Sequence, residues 1–358
     1  MNMSIMREIR ILFVLDHKLM AYRLPFFEQL AKKGYNVSVY HPGPALENIS
    51  YITQKISHSR NIFPGLIYRA NSIAKNTDIV VYMQNIRIIN LWFTTLNPFK
   101  GYKLIHWGIG TSSAKGLILK PTIISRIRSF LSGFSSAQIL YSDYPLPLFS
   151  KSIQKKTFIA NNTVYNPKME NLSSEIKNSF LFIGTLNKRK GLDDLIFSFS
   201  NIIFFYPDAN LQLNIIGDGP EKKNLIKLVD KLKIKNYVTF TGKISSSNEK
   251  YIYFKRAIAC VSPRQAGLSV LESFSYGVPF IAYRNAISGG EHLNIENGFN
   301  GYLLNSNKEL TESLIKLFES PKLAKKLGSN AFEYYKSKRQ MKHMVDVFDS
   351  AFKYVINS

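Results

Sequence analysis

Cysteine is almost missing: Cys260, within the apolar run Ala257–Val261, is the single one in 358 residues. No internal disulfide can form, which excludes the stapled secreted scaffolds and fits a reducing compartment. In that apolar setting Cys260 reads as a small core residue. Long apolar runs are missing too. No stretch reaches the roughly 18 uncharged apolar residues of a membrane span. Near the start, Arg7 and Arg10 flank the apolar residues Ile11 to Leu15, but Asp16, His17 and Lys18 break that run. It is too short for a secretory signal. The expectation is a cytoplasmic chain, soluble or peripheral on the inner face of the membrane. Metal-ligand spacing is absent among His17, His41, His58, His106, His292 and His343, and there is no Ser nucleophile elbow or P-loop. No metal and no cofactor are expected.

Acidic residues are scarce, 24 against 47 Lys and Arg, for a formal charge of +23. Between Lys55 and Lys156 there are 14 basic residues and only two acidic ones, Asp78 and Asp143. A field of one sign attracts nucleic acid, an anionic membrane or phosphorylated substrates. The stretch from Lys115 to Phe134 sets Lys115, Lys120, Arg126 and Arg128 among Leu117, Ile118, Leu119, Ile123, Ile124, Ile127, Phe130 and Leu131. A basic amphipathic helix of this kind either lies on an anionic membrane or packs on the core with a wet basic face.

What is present is an alternation of short apolar strands and amphipathic helices from end to end, the pattern of parallel α/β sheets. Strands are predicted at 9–15, 36–40, 78–83, 102–107 and 137–141, and again at 180–184, 211–216, 238–241, 257–261, 279–283 and 301–304. Helices are predicted at 25–33, 192–205, 221–232 and 268–276, and in three C-terminal pieces at 308–319, 321–338 and 340–356. Pro25 suits a first helical turn, where its missing N–H is not needed. The segment 161–178 has weak periodicity and several Asn, Ser and Pro residues, the mark of a linker. The chain therefore divides into an N-terminal Rossmann-like domain over 1–165, a linker over 166–178, a second Rossmann-like domain over 179–338, and a C-terminal helix over 339–358 able to cross back to the first domain. Doubly wound domains bind ligands at the carboxyl ends of their strands.

Among the loops that follow strands, Ser262 to Tyr283 is the most informative. It reads strand, loop, helix, strand. Gly267 and Leu268 stand where a helix begins, and free N–H groups there favour an anion such as a diphosphate. Glu272, one turn on, is placed to accept hydrogen bonds from a ribose diol. A plain crossover with an exposed Glu is the competing reading of the same residues.

This run resembles the signature of the family-4 retaining glycosyltransferases of the GT-B fold, bacterial surface-polysaccharide type, in which a Glu is followed eight positions later by a second Glu opening a run that ends in Gly-Val-Pro. Glu272 matches the second Glu and Arg264 replaces the first. Phe182 to Asp193 resembles the family's strand-to-helix loop: Lys190 matches its Lys, Thr185 replaces its Arg, and Arg189 can supply the missing cation. Ile215 to Glu221 and Val238 to Lys243 resemble the next two strand ends, in the right order. Ala21 to Phe27 and His106 to Gly110 resemble the less diagnostic first domain, with Ile109 in place of a frequent His; His106 itself reads as a core residue.

The resemblance implies two Rossmann-like domains facing across a cleft. It places catalytic roles at Lys190 and Glu272. Donor contacts fall at Thr185, Arg189, Gly217, Gly242, Lys243, Arg264, Ala266, Gly267, Leu268, Ser269 and Glu272. Acceptor contacts fall at Tyr22, Arg23 and Trp107, with a structural role open for Arg23. Glu291, after the glycines of Ser288-Gly289-Gly290, can face the donor sugar opposite Arg264; a plain loop is the other reading. The implied activity is metal-free hexosyl transfer from a nucleotide sugar to a lipid-linked saccharide in O-antigen or capsule synthesis. Nucleic acid is not an expected partner, since it explains the charge but not the ordered donor motifs. A non-catalytic relative that binds nucleotide or partners, favoured by Thr185, Arg264 and Ile109, and a sugar-nucleotide epimerase stay open.

Overall fold

The computed structural model describes residues 8–47, 49–56, 76–111 and 120–358. They form two compact units, one holding the described chain up to Tyr165 together with Met341–Ser358, the other holding Asn166–Gln340. Each unit is a parallel sheet with helical connections, the doubly wound Rossmann-like architecture predicted from the alternation.

The first sheet contains β1 (Arg10–Val14), β2 (Asn36–His41), β3 (Ile52–Lys55), β4 (Ile79–Met83), β5 (Lys103–Gly108), β6 (Ala137–Leu140) and β7 (Thr157–Ile159), in the order β3-β2-β1-β4-β5-β6-β7. Its helices are α1 (Leu24–Lys32), α2 (Ile89–Leu96), α3 (Ile123–Gly133) and the single turn α4 (Lys151–Gln154). Every residue of β4 is buried, as a central parallel strand covered on both faces requires. The edge strand β3 is mostly exposed and polar, so it carries no apolar signal in the sequence. Helix α2 buries Leu91, Thr94 and Thr95 on one face while Phe93 and Leu96 stay exposed, so its covered face is largely threonine and does not stand out as an apolar stripe.

The second unit carries β8 (Ser179–Ile183), β9 (Gln212–Ile216), β10 (Val238–Gly242), β11 (Ala257–Val261), β12 (Phe280–Tyr283) and β13 (Gly301–Leu304), ordered β10-β9-β8-β11-β12-β13. Its helices are α5 (Leu192–Phe205), α6 (Lys222–Lys231), α7 (Ser247–Arg256), α8 (Ser269–Phe274), α9 (Asn307–Glu319) and α10 (Pro321–Lys338). The strand order reverses between β8 and β11, which pair directly through Cys260 and Leu181.

The last helix, α11 (Met341–Ile356), belongs to the first unit. Met341, Met344, Val345, Phe348, Ala351, Phe352 and Val355 recur at helical spacing and all enter the core built on Phe13, Phe26, Phe27 and Trp107. Phe348 lies 4.7 Å from Phe26 and 5.3 Å from Trp107, ring to ring. Tyr35 donates to Asp349 at 2.6 Å, and Lys33 pairs with Asp346 at 2.9 Å, fixing the helix against α1.

The stretch 166–178, expected as a linker, is bound to the second unit. Leu172 is buried, its N–H donates to the Tyr276 carbonyl, and Asn166 donates to Ser275. Its low periodicity reflects an ordered irregular segment whose polar groups are satisfied by α8 and the turn after it.

Candidate functional site

The reversal between β8 and β11 is where an open parallel sheet offers its carboxyl edge to a ligand. The chain that leaves β8 runs through Gly184 and Thr185 to a 3-10 turn over Lys188–Lys190, and Gly191 then enters α5 in the left-handed region at φ 69°. A Cβ at Gly191 would stand 2.6 Å from Cγ of Arg264, so glycine is needed both for conformation and for room. The Arg264 N–H donates to the Lys190 carbonyl at 3.2 Å, tying the loop after β11 to this turn.

Lys190 points back over Gly184. Its Nζ is 3.5 Å from the Gln265 carbonyl and would be 3.6 Å from a Cβ placed on Gly184. Burial pushes its pKa below the ordinary lysine value, Arg189 pushes the same way, and Glu291 and Cys260 oppose them. A half-buried ammonium at a strand end is poised to meet an anion that gains charge. Gly217, at the end of β9, has φ 148°, and a Cβ there would lie 1.9 Å from the Gly184 carbonyl oxygen. Its N–H donates to the Gly242 carbonyl at 2.8 Å, while the Gly184 N–H donates to Ile216 at 3.0 Å. Three strand ends are thus drawn close, and at Gly217 no side chain fits.

After β11, the amides of Gly267, Leu268 and Ser269 find no acceptor among the described residues, and Glu272 follows in the first turn of α8. Its Oε1 accepts from Lys250 Nζ at 2.7 Å, with both side chains largely buried. Thr185, Arg189 and Lys243 are exposed at the same strand ends.

Several expected contacts need correction. Arg264 is not turned free toward a ligand: its guanidinium binds Asp194 at 2.6 and 2.8 Å and Asp193 at 3.1 Å, at the start of α5. Those carboxylates neutralise the residue that replaces a Glu. Ala266 is fully buried and its N–H is spent on the Ile287 carbonyl, so it has no donor to offer. Glu291 is buried, and its Oε2 accepts from Ser288 Oγ at 2.9 Å and Gly289 N–H at 2.8 Å, a loop-shaping role.

In the first unit, Trp107 is fully buried and cannot present its ring to an acceptor. Strand alternation sends it to the face covered by α1 and α11, and its neighbour His106 to the opposite face. Arg23 is also buried, with Nη2 donating to Tyr141 Oη at 2.5 Å and its guanidinium 4.5 Å from the Trp107 ring centroid. Arg23 is thus engaged inside the first unit by Tyr141 and Trp107. Tyr22 beside it remains partly exposed. His106 is a core residue, as read, set between Thr95 at 3.0 Å and Gln84 at 3.4 Å.

Three residues were missed. Lys250 carried no motif, because its link to Glu272 is purely tertiary. The side-chain amide oxygens of Asn187 and Gln265 are buried with no hydrogen-bond partner among the described residues. Both lie close to Lys190, and unpartnered buried acceptors there suit sugar hydroxyls. Gln265 lies inside the most informative run, so it could have been found by asking which side chains of that loop are polar. Among the described residues no group of three or more His, Cys, Asp or Glu comes together, and no helix is long and apolar enough to cross a membrane.

Known proteins share this architecture. A glycosyltransferase of Rickettsia africae superposes with TM-score 0.75 at 16% identity, covering 98% of this chain and 100% of that one. An Anabaena protein crystallised with UDP superposes with TM-score 0.74 at 16% identity, covering 96% and 100%. These likenesses bear on the fold, which is that of the GT-B glycosyltransferases. By sequence, the alpha-monoglucosyldiacylglycerol synthase of Acholeplasma laidlawii is 29% identical over 154 residues, 42% of this chain and 37% of that protein. The chain spans half or less of the length of the first curated relatives it matches. Residues 167–334, nearly the whole second unit and every strand end described around Lys190 and Glu272, match the family described as Glycosyl transferases group 1.

Proposed function

We propose that this chain is a retaining, metal-independent glycosyltransferase that moves a hexose from a nucleotide diphosphate to a hydroxyl of a lipid-linked saccharide or related lipid acceptor. The observation that carries this reading is the convergence, at the β8/β11 reversal, of a half-buried Lys190, the free amides of Gly267 to Ser269, and the carboxylate of Glu272. In this reading the amides hold the diphosphate, Glu272 accepts from the ribose, and the backbone at Gly217 and Gly242 approaches the nucleotide closely. Lys190 offsets the negative charge that grows on the leaving phosphate as the glycosidic bond breaks, and that oxygen takes the proton of the attacking hydroxyl on the same face. The UDP bound to the Anabaena protein and the glycolipid named for the Acholeplasma enzyme support the donor and acceptor classes. A role in O-antigen or capsule assembly is the cellular setting we favour.

An acceptor in a bilayer calls for a protein that reaches one. Residues 115–119 lie outside the described ones, but α3 exposes Ile123, Ile124 and Phe130, with Phe134 just beyond it, beside Lys120 and Arg126. Lys100 donates to the Thr95 and Phe134 carbonyls at 2.9 and 3.0 Å, joining the ends of α2 and α3 and holding Phe99, 91% exposed, next to them. Apolar side chains standing out of a basic surface favour contact with an anionic leaflet, in the cytoplasm.

A donor screen tests the proposal. Nucleotide sugars are added to the purified chain, recording thermal stabilisation and slow release of the nucleoside diphosphate, with Glu272→Ala in parallel. At about 100 times its Kd a donor adds roughly 2.7 kcal/mol of stability. One stabilising donor, turnover, and loss of both in Glu272→Ala are the expected results. Stabilisation without turnover, lipid-linked acceptors included, would favour the non-catalytic reading, to which the sequestration of Arg264 by Asp193 and Asp194 lends weight.

A further inference from the structure

Helix α7 follows the loop that leaves β10, and Lys250 stands in its first turns, its N–H donating to the Ser246 carbonyl. The helix is held in place from beneath. The Phe254 and Tyr276 rings stack at 4.3 Å, and Tyr276 Oη donates to the Ser247 carbonyl at 3.4 Å. This brings Lys250 across 22 residues of sequence to Glu272, with a 2.7 Å contact between Nζ and Oε1 and side-chain exposures of 17% and 18%. The pair is built on two different helices, so it is a tertiary device and not a helical surface pair. Its chemistry is only half used. Glu272 Oε2 accepts from none of the described residues, and the ammonium makes one hydrogen bond of the three it can donate.

We infer that Lys250 is a specificity-determining residue for the ribose: with Glu272 it forms one recognition unit in which the carboxylate accepts a diol hydroxyl and the ammonium both fixes that carboxylate and donates to the hydroxyl oxygen. A ribose hydroxyl is donor and acceptor at once, so a carboxylate and an ammonium side by side satisfy both functions, which a carboxylate by itself does not. The inference rests on the reading that Glu272 faces the ribose. It adds that the chain discriminates ribonucleotides from deoxyribonucleotides and that Lys250 is needed to do so. A site built to hydrogen-bond a hydroxyl rejects the analogue that lacks it, because its own polar groups are then left unpaired.

The test compares ribo- and 2′-deoxyribonucleotides on the same protein by titration calorimetry: UDP against 2′-deoxy-UDP, with the GDP and ADP pairs run alongside. General loss of positive charge weakens both members of a pair alike, so the ratio isolates the hydroxyl. The native chain is expected to favour the ribonucleotide about tenfold or more, the scale of a hydrogen bond to a charged group. Lys250→Met should bring the ratio down to about twofold, largely by weakening the ribonucleotide. Lys250→Arg, which keeps a charged donor, should restore most of it, and Glu272→Ala should abolish it. Thermal melts come first; if Lys250→Met does not fold, Lys250→Gln is read in its place and should fall below Lys250→Arg. If Glu272→Ala loses the discrimination while the neutral Lys250 variant keeps it, the ribose reading of Glu272 stands and the role given to Lys250 is overturned. If the native chain shows no discrimination, or binds no nucleotide, the reading of Glu272 fails and takes this inference with it.

Discussion

Lys190 holds a positive charge where burial works against it. Its pKa lies below that of an exposed lysine, so the ammonium is lost earlier as pH rises, and a diphosphate that needs the ammonium draws a proton back on binding. In the proposed reaction, activity should therefore fall on the alkaline side sooner than a solvent-exposed lysine would dictate. Lys190→Arg, which stays charged, should move that fall to higher pH, and Lys190→Met should lower kcat by about 10²-fold or more where the native lysine is charged, the deficit narrowing as that lysine deprotonates. Steady-state rates across pH 7 to 10 read both effects. An alkaline limb that does not move in Lys190→Arg would take the titrating role away from this residue.

At the scale of elements, the sheet of the first unit divides its chemistry by face. On one side β5 sends His106 into a polar network in which Gln84 also donates to Ser132 at 2.8 Å and Ser132 donates to Gln138 at 2.8 Å. Burial pushes the His106 pKa down to about 3, with Lys100 and Lys156 adding to it. The neutral ring is the folded form. The unfolded chain protonates it near pH 6.5, so stability is full above that pH and declines as pH falls from 6.5 toward 3, by up to about 1.4 kcal/mol per unit. Denaturant melts at pH 7 and pH 5 should show a smaller loss for His106→Gln than for the native chain, although the variant starts lower. Helix α3 lies over the same face and turns Ile123 and Phe130 outward. Sedimentation with vesicles containing anionic lipid should fall at least about fivefold in Phe130→Ser/Phe134→Ser, with the fold unchanged by circular dichroism, and binding should weaken with salt. Equal binding to neutral vesicles would remove the electrostatic part of that proposal.

For the molecule as a whole, α11 returns to the unit that holds β1 to β7. Seven of its residues complete the core around Phe13 and Trp107, so that core draws on segments far apart in sequence. Phe348→Ala, at a fully buried ring among four other aromatics, should destabilise by about 3–5 kcal/mol. The loss should fall on the first unit, splitting the thermal transition in calorimetry while nucleotide still stabilises the second. A single transition shifted as a whole would mean that the two units unfold together. The excess of Lys and Arg acts at this scale too: a charge of +23 governs association with anionic surfaces and says little about the fold.

The sequence by itself determined the two rounds of strand and helix, because buried parallel strands must be short apolar runs and their helices must show one apolar face. It also determined the backbone of the candidate site. Gly267 was legible as a helix-start glycine, and Gly217, Gly242, Lys190 and Glu272 through the resemblance of the runs around them. The polar edge strand β3 and helix α2 were not legible, since β3 is mostly exposed and α2 covers two threonines while leaving Phe93 and Leu96 outside. Which side chains are free to act followed from contacts made in the folded chain. The tertiary structure buried Trp107 and Arg23, engaged Arg264 with Asp193 and Asp194, spent the Ala266 amide on Ile287, and set Lys250 against Glu272. Spacing along the chain carries the identity of a loop, but a charge or a hydrogen-bond donor is available only if no other part of the fold has already satisfied it, and those partners lie far away in sequence.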